Sequence, residues 1–182
     1  MNARTYSVAI ERIHKTTLSR IIHVPVPARG NIDLADEDVG IEIKCRLDKW
    51  TRNYACKRSQ IETFSEMRIQ LYWAFLTYGM KKSVKAIRSS ESLQGLVTDV
   101  DVVFLEWEWY KKFPESTKDS GVEYRYAHAN LFPTEEYFSI YHIGNSILHI
   151  PRNSIIEKKL LDPVMIKKYV RHVENNSNQG VF

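Results

Sequence analysis

The stretch GNIDLADEDVGIEIKC, Gly30 to Cys45, carries Asp33, Asp36, Glu37, Asp38 and Glu42, and ends in an alternating apolar run that contains Lys44. Two carboxylates brought together hold a hard divalent cation, and Mg²⁺ takes one or two of them alongside waters and substrate phosphate oxygens. An ammonium beside such a pair can hold or help deprotonate an attacking water and offset charge as a phosphodiester becomes pentacovalent. This chemistry needs Asp33, Glu42 and Lys44 in one place. Strand periodicity offers that: in VGIEIKC, Val39, Ile41, Ile43 and Cys45 face one way, so Glu42 and Lys44 share the other face. With NIDL as a short strand and ADED as its turn, the pair forms a hairpin that converges Asp33 with Glu42 and Lys44 at one end. The plainer reading is an acidic turn followed by a solvent-facing ion pair on a two-faced strand.

The elements that must position these residues follow from the flanking pattern. YSVAIERIHKTTLSRII repeats Tyr6, Ala9, Ile10, Ile13, Leu18, Ile21 and Ile22 at helical spacing until Pro25 and Pro27 stop it. Beyond the hairpin, Ser59 and Glu62 form a capping-box signature. Ile61, Phe64, Leu71, Phe75 and Tyr78 then predict a helix that stops at Gly79, with a shorter helical piece from Lys81 to Arg88. LVTDVDVVFLEWEW alternates Val100, Val102 and Phe104 against Val103, Leu105, Trp107 and Trp109, and predicts an inner strand covered on both faces. A polar loop from Tyr110 to Gly121 precedes a strand in VEYRYAHANL. YFSIYHIGNSILHIP then predicts a hairpin on Gly144-Asn145. Asp162 and Pro163 open a last helix through Ile166, Tyr169, Val170 and Val173, and residues 175–182 form a mobile tail.

Composition bounds the function. A chain of 182 residues suits one core, hence a single domain over 1–174. With 26 Lys and Arg against 22 Asp and Glu, the net +4 is compatible with a polyanionic partner without demanding one. The distribution is more telling, since Lys44 to Arg88 holds 11 basic against 3 acidic residues. Phosphates favour such a surface through counterion release, which makes Arg46, Lys49, Arg52, Lys57 and Arg58 candidate nucleic-acid contacts. Trp50 and Tyr54 would stack on bases or anchor the loop. For Lys81 to Arg88 an ordinary solvated helix face explains the charge equally well. Cys45 and Cys56 lack metal-knuckle or disulfide-framework spacing and are expected as plain thiols in a reducing, cytoplasmic setting. No run approaches the roughly 18 apolar residues of a membrane span, so no membrane partner is expected. The six histidines show no HExxH spacing, and neither a Walker A nor a GxGxxG motif is present. Asp99 and Asp101 share a strand face and offer a second carboxylate pair, or mark where that strand leaves the core or meets the positive site.

Asp33 followed by Glu42-Ile43-Lys44, on a hairpin between two helices, resembles the PD-(D/E)xK nuclease superfamily. In that family an Asp ends one strand and a Glu-x-Lys lies on the next. The resemblance covers about Ala3 to Trp109; the family's Pro is absent, with Ile32 in its place. It implies an α/β (α+β), restriction-endonuclease-like fold, a mixed central sheet flanked by helices. It implies DNA as substrate, Mg²⁺ with Mn²⁺ as a substitute, and metal ligands at Asp33, Glu42 and the backbone carbonyl of Ile43, with Lys44 serving the water. It further suggests Glu11 on the first helix as an added ligand and Gln60 at the start of the next helix as a catalytic residue, and leaves a homodimer making paired cuts open. Two other classes stay in play: a nucleic-acid-binding module that keeps the fold without the chemistry, and a structural or assembly protein with an acidic turn.

Overall fold

The computed structural model describes residues 3–47, 53–83, 86–87, 92–117 and 121–160. Helix α1 (Ala3–Ile22) opens the chain and buries Tyr6, Ile10, Leu18, Ile21 and Ile22. The expected hairpin follows as β1 (Leu34–Ala35) and β2 (Val39–Leu47), antiparallel with Leu34 opposite Ile41. Its acidic turn is braced in part from within: Asp36 Oδ1 accepts from the Asp38 and Val39 amides, each at 2.9 Å. Next come β3 (Asn53–Lys57), α2 (Arg58–Ser65), β4 (Gln70–Met80), the single turn α3 (Leu93–Leu96) and β5 (Val97–Glu106). Strands β6 (Glu115–Thr117), β7 (Glu123–His128), β8 (Phe138–Ile143) and β9 (Ser146–Pro151) complete the sheets, and α4 (Ile155–Lys159) follows.

Among the described residues, a six-stranded mixed sheet runs β1-β2-β4-β5-β9-β8, beside a three-stranded sheet β3-β7-β6. β2 and β4 are parallel, as are β5 and β9, while the remaining neighbours are antiparallel. The general mixed α/β class therefore holds. Each face of the large sheet carries its own core. Val39, Ile41 and Ile43 of β2 join α1 on one side, and the opposite side packs Trp73, Phe75, Leu105, Trp107, Phe113 and Phe138 against Tyr54 and the α2 residues Ile61 and Phe64. Phe104 and Leu105, both fully buried, point to opposite cores, so β5 is the inner strand that its alternation predicts. The hairpin on Gly144-Asn145 is also present, and Gly144 adopts φ 59, which a glycine tolerates without a Cβ clash. No helix among the described residues is long and apolar enough to cross a membrane.

Several expectations fail, each for a physical reason. The long helix from Ser59 stops after Ser65, and residues 70–80 form β4 instead. Leu71 to Leu76 is an unbroken apolar run, which suits a strand buried on both faces. As a strand it sends Leu71, Trp73 and Phe75 to one core and Tyr72, Ala74 and Leu76 to the other, whereas one helical stripe would leave half of them exposed. The capping box is not made: Lys57 occupies the N-cap without a side-chain bond, and Glu62 pairs with Arg58 at 2.9 Å. The residues described between Lys81 and Ile87 form no α-helix. β5 ends at Glu106, and Trp107–Lys112 winds into a 3₁₀ turn that lays Trp107 flat on Trp73. The supposed loop up to Gly121 contains β6, paired with β7 from Glu115 opposite Arg125. The last helix from Asp162 and the tail 175–182 lie outside the described residues.

Candidate functional site

Asp33, immediately before β1, sits beside β2 because the Leu34–Ile41 register carries it next to Glu42 and Ile43. Its Oδ2 accepts the Ile43 amide at 2.8 Å, and its Oδ1 accepts Lys15 Nζ from α1 at 3.0 Å. In a strand the N–H and C=O of one residue point to the same side, so the Ile43 carbonyl also faces Asp33, while the Ile43 side chain goes into the α1-side core. Glu42 and Lys44 project from the opposite face, as the alternation requires. Lys44 Nζ lies 2.6 Å from Glu42 Oε1 and 3.1 Å from Gln60 Oε1, and Gln60 Nε2 donates to the same Glu42 oxygen at 3.0 Å. The first turn of α2 thus delivers Gln60 to the site.

Burial dominates the electrostatics. The Glu42 carboxyl is pushed up to about 7, first by desolvation and then by Asp33, against the pull of Lys44 and Gln60. Lys44 also moves up: burial opposes its charge, but Glu42 outweighs it. The two shifts pull apart: that of Lys44 favours the charged pair, whereas that of Glu42 shows burial outweighing the attraction of Lys44. The 2.6 Å contact joins the two groups in either protonation state of Glu42. Glu11, one turn before Lys15 on α1, has its carboxyl raised by burial and then by Asp33, with Lys44 and Lys15 lowering it. Every residue assigned to the catalytic and metal set, Glu11, Asp33, Glu42, Ile43, Lys44 and Gln60, therefore gathers at this one place.

One observation bears on a metal. Glu42 Oε2 is buried and has no hydrogen-bond partner, an expense that a native site seldom leaves uncompensated. Among the described residues no group of three or more His, Cys, Asp or Glu side chains is arranged to hold a metal. A two-carboxylate site completed by waters and phosphate oxygens is the kind that Mg²⁺ accepts, and Asp33 and Glu42 are the two carboxylates on offer here.

A carboxyl with a raised pKa binds more protons folded than unfolded, so it supports folding most at low pH. That support is lost as pH rises from about 4.5 through about 7. Glu42→Gln, permanently neutral, is therefore expected to melt like wild type near pH 4 and above it at pH 8. Parallel melting curves across that range would show that Glu42 is not desolvated.

The basic stretch is less uniform than its sequence. Lys49, Trp50 and Arg52 lie outside the described residues. Lys57 is exposed at the entry to α2. Arg58 is exposed too, but Glu62 at 2.9 Å and Glu123 at 2.7 Å offset its charge. Arg46 donates to the Asn53 carbonyl and so braces β3. Tyr54 is only 4% exposed, packed between Phe75 and Phe132, so it anchors the core and is unavailable to stack on bases. Asp101 pairs with His149 at 2.8 Å and does not join the site. Lys15 is the residue that sequence reasoning missed, because its partner Asp33 lies 18 positions away.

Scanned against protein-family models, the curated proteins and the solved structures, the chain matches none of them.

Proposed function

We propose that this chain is a Mg²⁺-dependent nuclease, with Mn²⁺ able to substitute, that hydrolyses DNA phosphodiester bonds on a restriction-endonuclease-like, PD-(D/E)xK core. The observation that carries the reading is the orphaned Glu42 Oε2, buried beside Asp33 and a lysine whose partners fix its position. Asp33, Glu42 and the Ile43 carbonyl would hold the cation, with Glu11 within electrostatic reach. Bound there, a divalent ion supplies Lewis acidity toward a phosphoryl oxygen and lowers the pKa of water.

The chain's own groups do the rest. An ammonium has three protons, and Glu42 and Gln60 take two of those on Lys44, which leaves one to orient an attacking water or meet a charged phosphate oxygen. Gln60 holds Lys44 and Glu42 together through both ends of its amide, so the pair keeps its geometry as charge develops. Lys57 places a cation at the mouth of α2, where a phosphate backbone would be steered.

The alternative of a binding module without chemistry has one observation in its favour, the closed Lys15–Asp33 ion pair. Supercoiled plasmid incubated with Mg²⁺ and with EDTA separates the two. The expected result is nicking only with the metal; retention of DNA at low salt with no nicking under either condition favours the module.

A further inference from the structure

In the absence of a divalent ion something must balance Asp33 and Glu42, whose charges act on each other here. Lys44 is committed to Glu42 and Gln60. Asp33 is left to Lys15, whose Nζ sits 3.0 Å from Oδ1, with the two side chains only 25% and 13% exposed. The other Asp33 oxygen accepts the Ile43 amide, so each oxygen of this carboxylate already has one partner. A divalent ion held by Asp33 and Glu42 would meet a positive charge already seated at Oδ1. The amide bond is part of the hairpin and does not move cheaply. The lysine is a flexible four-carbon stem on a helix surface, and it does.

We propose that Lys15 is an internal counter-ion of the carboxylate site, exchanged for the divalent cation when the site loads and thereby released toward a phosphate of the nucleic acid. The inference rests on the metal-site reading above and adds a competition to it: lysine and metal are like charges that compete to balance the same carboxylate. Release follows from repulsion between like charges in a partly desolvated place, and Lys15, already a quarter exposed in the pair, has solvent beside it to move into. Metal and nucleic acid would then favour each other's binding, because each removes the lysine's reason to stay.

Mn²⁺ titration followed by calorimetry tests this on the whole chain. Lys15→Met, which keeps helix propensity and stem length but removes the competitor, is expected to bind Mn²⁺ about tenfold more tightly than wild type, a coupling of ordinary size. Lys15→Arg, which keeps the charge, should bind like wild type. A folded Lys15→Met with equal or weaker Mn²⁺ affinity overturns the exchange and leaves the metal site standing. Wild type that binds no Mn²⁺, or binding that Glu42→Gln leaves untouched, removes the metal site and the exchange together. A second readout needs no variant: acetylation of Lys15 in wild type, followed by peptide mass spectrometry, should accelerate several-fold when Mn²⁺ is added. An unchanged rate at Lys15 overturns the exchange by itself.

Discussion

Lys44→Met is expected to lower DNA cleavage by ~10²–10³-fold, about 2.7–4 kcal/mol, the usual cost of losing one donor aimed at transition-state charge. The structure adds a complication that the sequence alone hides. With its cation gone, the buried Glu42 loses its main opposing pull and holds its proton beyond the already raised value of about 7. Breaking a buried pair normally costs several kcal/mol, but here protonation caps the penalty, so the variant should fold. Metal affinity should fall at neutral pH and return at higher pH as Glu42 ionises. The two roles of Lys44 then separate. If it acts only as the partner of Glu42, raising the pH restores cleavage along with metal binding. If it also serves the water, metal binding returns and cleavage does not. Mn²⁺ titrations and plasmid nicking at pH 7 and pH 9 on this one variant decide between them.

The second large effect is on stability. Trp73 is fully buried, stacks on Trp107 at 4.0 Å with the rings 8° from parallel, and donates its indole N–H to the Trp107 carbonyl at 3.0 Å. Trp107 in turn donates to Ser65 Oγ at 2.9 Å, which ties the end of α2 to the same stack. Trp73→Ala is expected to cost about 3–5 kcal/mol in denaturant unfolding, the range for emptying an aromatic site that cannot collapse. Trp73 is also the β4 register partner of Glu42, which puts the two side chains on the same sheet face. The same variant should therefore bring the Glu42 pKa back toward its ordinary value, readable as a flatter melting profile between pH 4.5 and 7. A loss below about 1 kcal/mol would mean that the stack is not a keystone of that core.

The site was legible because it rests on the shortest-range rules. Alternation placed Glu42 and Lys44 on one face, the turn residues placed Asp33 beside them, and both hold in the structure. Glu11 and Gln60 arrive from helices whose existence, though not length, the pattern gives. What failed needed information beyond a local window. The periodicity through Leu71, Phe75 and Tyr78 fits a helix and a two-sided strand alike, and only the presence of two cores selects the strand. Lys15 reads as a solvated helix residue until Asp33, 18 positions away, is folded against it. The acidic turn likewise owes part of its charge to a distant partner, since Lys159 reaches Asp36 at 2.9 Å and Asp38 at 3.3 Å. Glu157-Lys158-Lys159, a second match to the Glu-x-Lys pattern, instead lies within α4, whose N-cap is Ser154: Glu157 accepts from the Asn153 amide at 2.6 Å and from Tyr141 at 2.8 Å.

β4 lends its alternate residues to both hydrophobic clusters, with β2 on one side and β5 on the other. A strand shared in this way links the fates of the two halves, because neither core can open while the other keeps β4 extended and paired. Unfolding of this region is therefore expected to be all-or-none, with its amides exchanging through opening of the sheet as a whole. The hairpin end is held differently: β1 contributes only two residues at the rim, though Leu34 is fully buried. The carboxylate pair thus spans a seam between two elements, with Glu42 on β2 inside the shared sheet and Asp33 on the segment that leads into a two-residue strand.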